Sequence, residues 1–410
     1  MNKKTILYIG GFELPDKNAA AQRVLSNAKI FRALGFNVVF VGIDKSLLQS
    51  TEISNTKSYV QGFETWAIPY PSNKKIWLKY ITSNKHIEYI VDQYYNDDLY
   101  AVICYNYPFV AQYKVKNMCT RKNAFYIPDA TEWYGSSGGG IIFNTIKWLD
   151  TSLRMRFIHP RADGLITTSK YLTDFYNNKN CTTVELPTLY DVEVLKATPP
   201  KSVNSKNIIK LMYAGSAFNL DRIDKNRTNI KDRLDKIILL LDKVSEEKSN
   251  FILNIYGLTQ ENYLSVFPEH ADILVKLSNN MVFHGRKPHL EIIENIKDSD
   301  FTIFIREIDR VIEAGFPSKF SESISCGTPV IANTISNIEG YIVEGKNCCT
   351  ISLDDNEKQV EKMLYILSLS DNERLSMKNY CLENKIFDYK EYITLVKQFL
   401  LVLEGSKHAN

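Results

Sequence analysis

The segment PSKFSE, from Pro317 to Glu322, combines residue types that bind a phosphate and a neighbouring hydroxyl group. Proline is favoured at the first position of a helix, where the first backbone N–H groups have no partner within the helix. The helix dipole and Lys319 add positive charge, so the amides of Ser318, Lys319 and Phe320 are predicted to hold a phosphate. Glu322 follows one turn later, either as a ribose-binding carboxylate or as an ordinary solvated acid.

Parallel sheets are predicted to position this helix, because short apolar runs alternate with amphipathic helical patterns. The predicted strands are KTILYIGG, NVVFVGID, AVICYN, NAFYIPD and GLITTS, then IIKLMYAGS, FILNIYG, MVFHG, FTIFIRE, TPVIAN and CCTIS. Each series opens with a strand that runs into a small-residue turn, at Gly10 and Gly11 and again at Gly215 and Ser216. We expect two Rossmann-like domains, with ligands beyond the carboxyl ends of the strands.

Helical periodicity is clearest in two segments. Residues 20–34 place apolar side chains at spacings of three and four, and Gly35 follows where a helix C-terminal glycine is favoured. The second helix is predicted at about residues 231–248, after the first strand of the second series.

Composition excludes some classes of protein. The chain has 410 residues, 44% of them hydrophobic, and a net charge of +3, which favours two domains and gives no sign of nucleic-acid binding. Its seven cysteines are odd in number and scattered, which is typical of reduced thiols. No segment approaches the roughly 20 apolar residues of a membrane span, and the N-terminal apolar run is too short for a signal peptide. We expect a cytoplasmic protein that can lie peripherally on the inner face of the cell membrane.

Several other sites are disfavoured by spacing. Neither small-residue turn completes the G-x-G-x-x-G of dinucleotide enzymes, and Lys319 lacks the glycine that precedes the lysine of a phosphate-binding loop. Asp298 and Asp300 form a D-x-D sequence but are predicted to meet solvent at a helix end. His284 and His289 have no third ligand nearby, so we expect no metal site.

The longer segment PSKFSESISCGTPVIAN resembles the Pro-Ser/Thr-Lys-x-x-Glu stretch and the following Cys-Gly-x-Pro-Val-Ile of the retaining, nucleotide-sugar-dependent glycosyltransferases of family 4. The likeness continues in ADGLITTSKYLTDFY, LMYAGS, SNIEGYIVEGKNCCTIS and FDYKEYITLVKQFLLVL, in the family's order. The resemblance implies the α/β GT-B fold, with two Rossmann-like domains facing across a central cleft. It assigns residues 1–195 to an acceptor-binding domain and 206–387 to a nucleotide-sugar-binding domain, with a final helix, 388–405, crossing back to the first.

The resemblance also implies roles for individual residues. Glu322 would bind the donor ribose, and the amides near Lys319 would contact the diphosphate. Lys231 matches the family's basic residue that neutralises the leaving diphosphate. The arginine that accompanies it in the family is missing at the corresponding position, and Arg227 or Arg222 is expected to replace it.

A second glutamate of the family falls on Ala314 in this chain. Either a one-residue bulge brings Glu313 into its place, or the amides of Ala314, Gly315 and Phe316 take over its role, which is the alternative we favour.

Four further residues complete the implied donor site. Arg286 would lie near the nucleobase and Arg306 would point into the cleft, unless each is a solvated arginine at a strand end. Gly10 and Gly11 would let the backbone approach the donor phosphates.

Acidic residues in PDATEWYG are candidates on the acceptor side. Asp129 and Glu132 are expected beyond a strand end, facing the cleft. They would bind sugar or acceptor hydroxyl groups, or they would cap the next helix.

The implied activity is transfer of a sugar from a UDP-sugar or GDP-sugar to an acceptor hydroxyl, with retention and with no cofactor or metal. The acceptor would be a saccharide or lipid-linked saccharide of a bacterial capsule, lipopolysaccharide or exopolysaccharide. Two alternatives stay open: a nucleotide-sugar epimerase of the same architecture, and a catalytically silent nucleotide-sugar-binding subunit.

Overall fold

Two parallel-stranded sheets, one in each of two structural units, organise the computed structural model of the chain. The structure describes residues 3–15, 17, 19–133, 140–196, 208–218, 227 and 230–408. The first unit comprises Met1–Tyr190, Glu313–Phe316 and Tyr389–Asn410, and the second comprises Asp191–Ile312 and Pro317–Asp388.

The sheet of the first unit has eight strands among the described residues, in the order β3-β4-β2-β1-β5-β6-β7-β8. Their bounds are β1 (Thr5–Gly10), β2 (Asn37–Asp44), β3 (Ser58–Val60), β4 (Phe63–Pro69), β5 (Leu99–Tyr105), β6 (Phe125–Ala130), β7 (Leu165–Thr167) and β8 (Thr183–Glu185). All pairs are parallel except β3 with β4. The strand order reverses between β1 and β5.

The sheet of the second unit is wholly parallel over the described residues, in the order β11-β10-β9-β12-β13-β14. Its strands are β9 (Ile209–Ala214), β10 (Phe251–Tyr256), β11 (Met281–Gly285), β12 (Phe301–Phe304), β13 (Val330–Ala332) and β14 (Cys348–Thr350). This is the doubly wound Rossmann order, whose switch point lies between β9 and β12. The predicted α/β architecture with two parallel sheets is confirmed.

Helices connect the strands on both faces of the sheets. In chain order they are α1 (Ala19–Ala33), α2 (Lys74–Thr82), α3 (Lys85–Ile90), α4 (Phe109–Arg121), α5 (Ile141–Leu153), α6 (Lys170–Asn177), α7 (Val192–Lys196), α8 (Leu234–Ser245), α9 (Gln260–Val266), α10 (Ala271–Lys276), α11 (His289–Asp298), α12 (Arg310–Ala314), α13 (Ser318–Ser325), α14 (Ser336–Glu339), α15 (Asn356–Ile366), α16 (Asp371–Glu383) and α17 (Ile393–His408).

The first unit buries the apolar face of α1 against its sheet, as the spacing predicts. Val24, Ala28 and Phe31 are fully buried. The last helix, α17, belongs to this unit and packs into the same core, where Phe399 and Leu403 lie close to Gly164.

The second unit has its own apolar core, in which α8 and α15 pack on the sheet. The helix predicted at about residues 231–248 is present as α8, but it is shorter at both ends, and Lys231 lies just before its start. All seven cysteines are unpaired. Among the described residues, no helix is both long enough and apolar enough to span a bilayer.

Candidate functional site

The start of α13 differs from the prediction by one residue. Pro317 precedes the helix as its N-cap, and Ser318 is the first helical residue. The N–H of Phe320 donates to the carbonyl of Pro317 at 2.9 Å. The Phe320 amide is therefore not available to a phosphate. Of the three amides that were predicted to bind phosphate, those of Ser318 and Lys319 remain candidates.

The Lys319 side chain turns back toward the sheet. Its ammonium contacts the carboxylate of Asp232, lies 3.1 Å from the hydroxyl of Tyr213, and stands 4.2 Å from the centre of the Tyr213 ring. One-fifth of the side chain remains exposed. Lys319 is therefore a partly neutralised cation at the switch point of the sheet and not the full positive charge that the sequence predicts.

Asp232 organises this cluster, although the sequence analysis did not single it out. Its carboxylate accepts from the Nε of Arg306 at 2.7 Å and from the Tyr213 hydroxyl at 3.2 Å. Burial acts to raise the pKa of Asp232, but Lys319 and Arg306 outweigh it and hold that pKa well below its ordinary range. Two cations share one anion, so the cluster keeps an excess of positive charge.

Both expectations for Arg306, that it points into the cleft or that it is solvated at a strand end, are wrong. Arg306 follows β12 but is buried, because its guanidinium is paired with Asp232. The side chain of Asn333 accepts from its backbone N–H and donates to its carbonyl, both at 2.9 Å. Arg306 thus holds the Asp232 carboxylate in place through a buried ion pair.

Gly215, in the turn after β9, lies directly against Lys319. Its φ of +138° falls in the region that only glycine adopts readily, and a Cβ placed there would be 2.5 Å from the Lys319 Nζ. Ser216 follows and is exposed. The structure therefore brings together the small-residue turn and the helix start that the sequence singled out separately.

Glu322 has a neighbour that the sequence analysis considered only as a metal ligand. The Nε2 of His289, the first residue of α11, lies 2.8 Å from the Oε1 of Glu322. The side chains are 42% and 16% exposed, so the pair borders solvent. Arg286 lies in the exposed turn just before α11, which begins at His289. In the sequence, the only sign of the pairing between His289 and Glu322 is a histidine at the start of a helix just after a strand.

The two remaining basic candidates have different surroundings. Lys231 is exposed, and its charge lowers the pKa of Lys319, after the larger effects of burial and Arg306. Arg227 pairs with Glu269, its Nη2 lying 3.1 Å from the Oε2, and stacks 4.5 Å above the Phe267 ring. Arg227 thus already has a partner, and the expectation that it replaces the missing arginine stays a prediction, while Arg222 lies outside the described residues.

The predicted acidic site in the first unit is a closed ion pair. Asp129 lies within β6, is fully buried, and accepts from the Nη2 of Arg23 at 2.7 Å and from the hydroxyl of Tyr8. Its expected position beyond the strand end is wrong. Glu132 is half-buried; burial raises the pKa of Tyr105 to about 12, and the charge of Glu132 adds to this.

The glycines at the end of β1 differ in their surroundings. A Cβ on Gly10 would lie 2.5 Å from the carbonyl oxygen of Tyr105, so β5 occupies the space that was expected to admit a phosphate. Gly11 is exposed, with the Tyr80 hydroxyl 3.9 Å from its Cβ position. Only Gly11 keeps an open side.

The segment before α13 groups with the first unit. Ala314 is buried, and its carbonyl accepts from the Ser169 hydroxyl at 2.9 Å. Gly315 is buried and Phe316 is half-buried. Their amides stay candidates for the role of the missing glutamate.

The residues considered as metal ligands have other partners. Asp298 accepts from Lys210 at 2.9 Å, and Asp300 accepts from the Nε of Arg374 at 3.1 Å. The His284 ring stacks on Tyr256, with centroids 4.3 Å apart. Within the described ranges, no group of three or more His, Cys, Asp or Glu residues is placed to hold a metal ion.

Known proteins provide an independent comparison. Residues 225–383 match the model of the family described as glycosyl transferases group 1. The chain is similar to a glycosyltransferase from Rickettsia africae, with TM-score 0.65 and 15% identity over 98% of this chain and 99% of that one. The chain has the GT-B fold of glycosyltransferases. No curated protein sequence matches it.

Two other solved structures share this fold. Anabaena HepE, in complex with UDP-glucose, gives TM-score 0.60 and 12% identity over 98% of this chain and 100% of that one. WaaG, a glycosyltransferase involved in lipopolysaccharide biosynthesis, gives TM-score 0.57 and 12% identity over 95% and 99%. The matched domain and these neighbours support a glycosyltransferase.

Proposed function

We propose that the chain transfers a sugar from a nucleoside diphosphate sugar to an acceptor hydroxyl group. The observation that carries this proposal is the positively charged cluster of Lys319, Arg306 and Asp232, set against Gly215 at the switch point of the second sheet. Glu322 lies one turn further along α13. A diphosphate and its ribose need this combination of an accessible cation, a close backbone turn and a carboxylate.

Each part of the donor has a proposed contact. The diphosphate would lie against Gly215, Ser216, Lys319 and the amide of Ser318. Glu322 would accept from the ribose hydroxyl groups, with His289 orienting its carboxylate. The exposed Arg286 would lie toward the base, and the UDP-glucose held by the neighbour HepE favours a uridine donor over a guanosine one.

Catalysis in this proposal is electrostatic. The bond between the anomeric carbon and the β-phosphate oxygen breaks, and its electron pair leaves with the diphosphate, whose charge Lys231 and Lys319 stabilise. The acceptor oxygen bonds to the same face of the sugar and passes its proton to the departing phosphate oxygen. Inversion would instead need a general base. Of the two acidic candidates, Asp129 is enclosed in an ion pair with Arg23, and Glu132 is half-buried, which favours retention in this proposal.

We also propose a role in bacterial surface polysaccharide synthesis, on the inner face of the membrane. The neighbour WaaG supports this context. In the first unit, Leu78 of α2 and Ile142 and Trp148 of α5 are 54%, 77% and 54% exposed. Large apolar side chains next to lysines suit the boundary of an anionic bilayer.

Thermal denaturation with a panel of nucleoside diphosphates and their sugars tests the donor site, because a ligand of the folded state raises the melting temperature. We expect one base series to stabilise the wild-type chain and Glu322→Ala to lose most of that shift. Glu361→Ala, which removes an exposed carboxylate from α15, is the matched control.

The stabilising sugar nucleotide is then incubated with candidate acceptors, and the products are analysed by NMR. Transfer with an unchanged anomeric configuration supports the proposal. Epimers formed without an acceptor would indicate the epimerase, and binding without sugar release from any acceptor would indicate the silent subunit.

A further inference from the structure

A cavity of about 600 Å³ lies in the first unit, apart from the cluster around Lys319. It opens at the carboxyl edge of the sheet, where ligands of open parallel sheets bind. Ile68 and Pro69 at the end of β4 line it, and so does Tyr107, just after β5. Tyr80 of α2 connects it to Gly11 at the end of β1.

Three lysines, Lys79, Lys85 and Lys114, line this cavity together with His86, and among the described residues no aspartate or glutamate lines it. Burial lowers the pKa of His86, so the positive charge of the wall comes from the lysines. The Lys114 ammonium donates one hydrogen bond, to the carbonyl of Thr82 at 2.7 Å, and an ammonium carries three donors. The wall therefore offers hydrogen-bond donors and positive charge that an anion would satisfy.

Asn84 provides a second, independent observation. It is 5% exposed and lines the cavity, and its side-chain Nδ2 has no hydrogen-bond partner among the described residues. Buried amide donors are nearly always satisfied in native proteins. This amide favours a bound group that is rich in hydrogen-bond acceptors, as an anion is.

The surface beside the cavity is apolar. No residue of α2 is buried, although this helix contains isoleucine, tryptophan, leucine and tyrosine. Ile76 lines the cavity, while Leu78 is 54% exposed. The ring of Trp77 lies 5.9 Å from that of Phe143, which is itself 42% exposed. A lipid whose anionic group binds in the cavity would thus have its hydrocarbon chain on the apolar surface of α2 and α5.

We propose that this cavity, the α2–α4 pocket, binds the phosphate or diphosphate group of a lipid-linked acceptor. The inference rests on the proposed function in one respect only, namely that the bound molecule accepts the sugar. Lys79, Lys85 and Lys114 neutralise the phosphoryl oxygens, and the Asn84 amide donates to one of them. The lipid lies against the apolar surface of α2.

Isothermal titration of the full chain, saturated with the nucleoside diphosphate that stabilises it, tests this pocket without interference from the donor site. Geranyl diphosphate is expected to bind, and geraniol to bind at least tenfold more weakly. Equal affinities for the two would overturn the proposal. Inorganic pyrophosphate binding as tightly as geranyl diphosphate would support the anion site and overturn the lipid.

Lysine substitutions localise the binding. Lys79→Gln with Lys85→Gln should weaken geranyl diphosphate binding about tenfold or more, since each lost charge-assisted contact costs several-fold. Lys74→Gln with Lys75→Gln removes the same amount of charge from α2, the helix that contains Lys79, but outside the pocket, and should change affinity less than twofold. Equal effects of the two pairs would contradict the assignment.

Asn84→Asp keeps the size of the side chain and adds an anion to the pocket. We expect it to abolish geranyl diphosphate binding while the melting temperature is kept or raised, because the lysines then have an internal partner. Unchanged binding would overturn the pocket. If no nucleoside diphosphate binds the wild-type chain but geranyl diphosphate does, the proposed function fails and the pocket stands.

Discussion

The two units contain the same kind of buried network at the switch point of each sheet, and one difference separates them. In each, a tyrosine of the first strand donates to a buried aspartate that also pairs with an arginine: Tyr8 with Asp129 in the first unit and Tyr213 with Asp232 in the second. The first network is closed, since Arg23 and Asp129 are 3% and 0% exposed.

The second network contains an additional cation, Lys319, which is one-fifth exposed and faces the Gly215 turn. A buried ion pair of balanced charge contributes to the fold. A cluster that has excess positive charge and borders solvent can bind an anion. The difference predicts that the first network serves stability and the second serves the donor.

The largest effect is expected from Asp129→Asn. Removing one partner of a buried ion pair leaves the other charge uncompensated, which typically costs about 3–5 kcal/mol of folding free energy. Guanidinium unfolding monitored by hydrogen exchange in β6 measures the loss in the first unit. Donor binding, measured by titration at a temperature below the unfolding transition, should persist.

Asp232→Asn provides the matched test in the second unit. Its cost should be smaller, because Lys319 can turn toward solvent. Asp232 has a lowered pKa in the folded chain, so its contribution to stability is complete above its ordinary pKa of about 4 and is lost as the pH falls. Equal losses for the two variants, or a loss for Asp232→Asn that grows as the pH falls below about 4, would contradict the comparison.

Lys319→Met should change catalysis more than stability. Asp232 keeps Arg306 as a partner, while the donor diphosphate loses its nearest ammonium, a change that typically slows turnover by about 10²-fold or more. Steady-state kinetics with the identified sugar nucleotide measures this. Lys243→Met, which removes an exposed lysine from α8, should leave the rate unchanged; a similar rate for both variants would place the diphosphate elsewhere.

Glu322→Ala and Lys231→Ala should separate binding from chemistry. Loss of the ribose contact should chiefly raise KM, whereas loss of the exposed lysine near the leaving group should chiefly lower kcat. His289→Ala should raise KM less than Glu322→Ala does, and His289→Gln, which keeps a donor, should restore part of it. A lower kcat with unchanged KM in the histidine variant would exclude an orienting role.

The smallest effect is expected from metal removal. In the proposed site, Lys231, Lys319 and the start of α13 neutralise the diphosphate, so addition of a chelator should leave the rate nearly unchanged. Activity that disappears with the chelator and returns with a divalent cation would contradict this.

The sequence was most informative where a local pattern determines local structure. Strand–helix alternation predicted two parallel sheets, and the start of α13 was predicted to within one residue. Gly215 and Lys319 were both singled out, although nothing in their spacing indicates that they touch.

Long-range pairing accounts for the residues that were misplaced. Asp129 and Arg23 lie 106 positions apart, and Asp232 and Arg306 lie 74 apart, so no periodicity shows that each pair is buried. A polar residue at a strand end looks the same in sequence whether it faces a ligand or a partner. Asp232 was missed because its partners are distant in the sequence, and the pairing of Arg227 with Glu269 was missed for the same reason.

The turn at Gly215 leaves no room for even the smallest side chain, because the space beside its α-carbon is where the Lys319 ammonium lies. A methyl group there would displace the lysine and fill the space where, in the proposed donor site, a phosphate oxygen would lie. The lack of a side chain at this turn thus keeps the proposed donor site accessible.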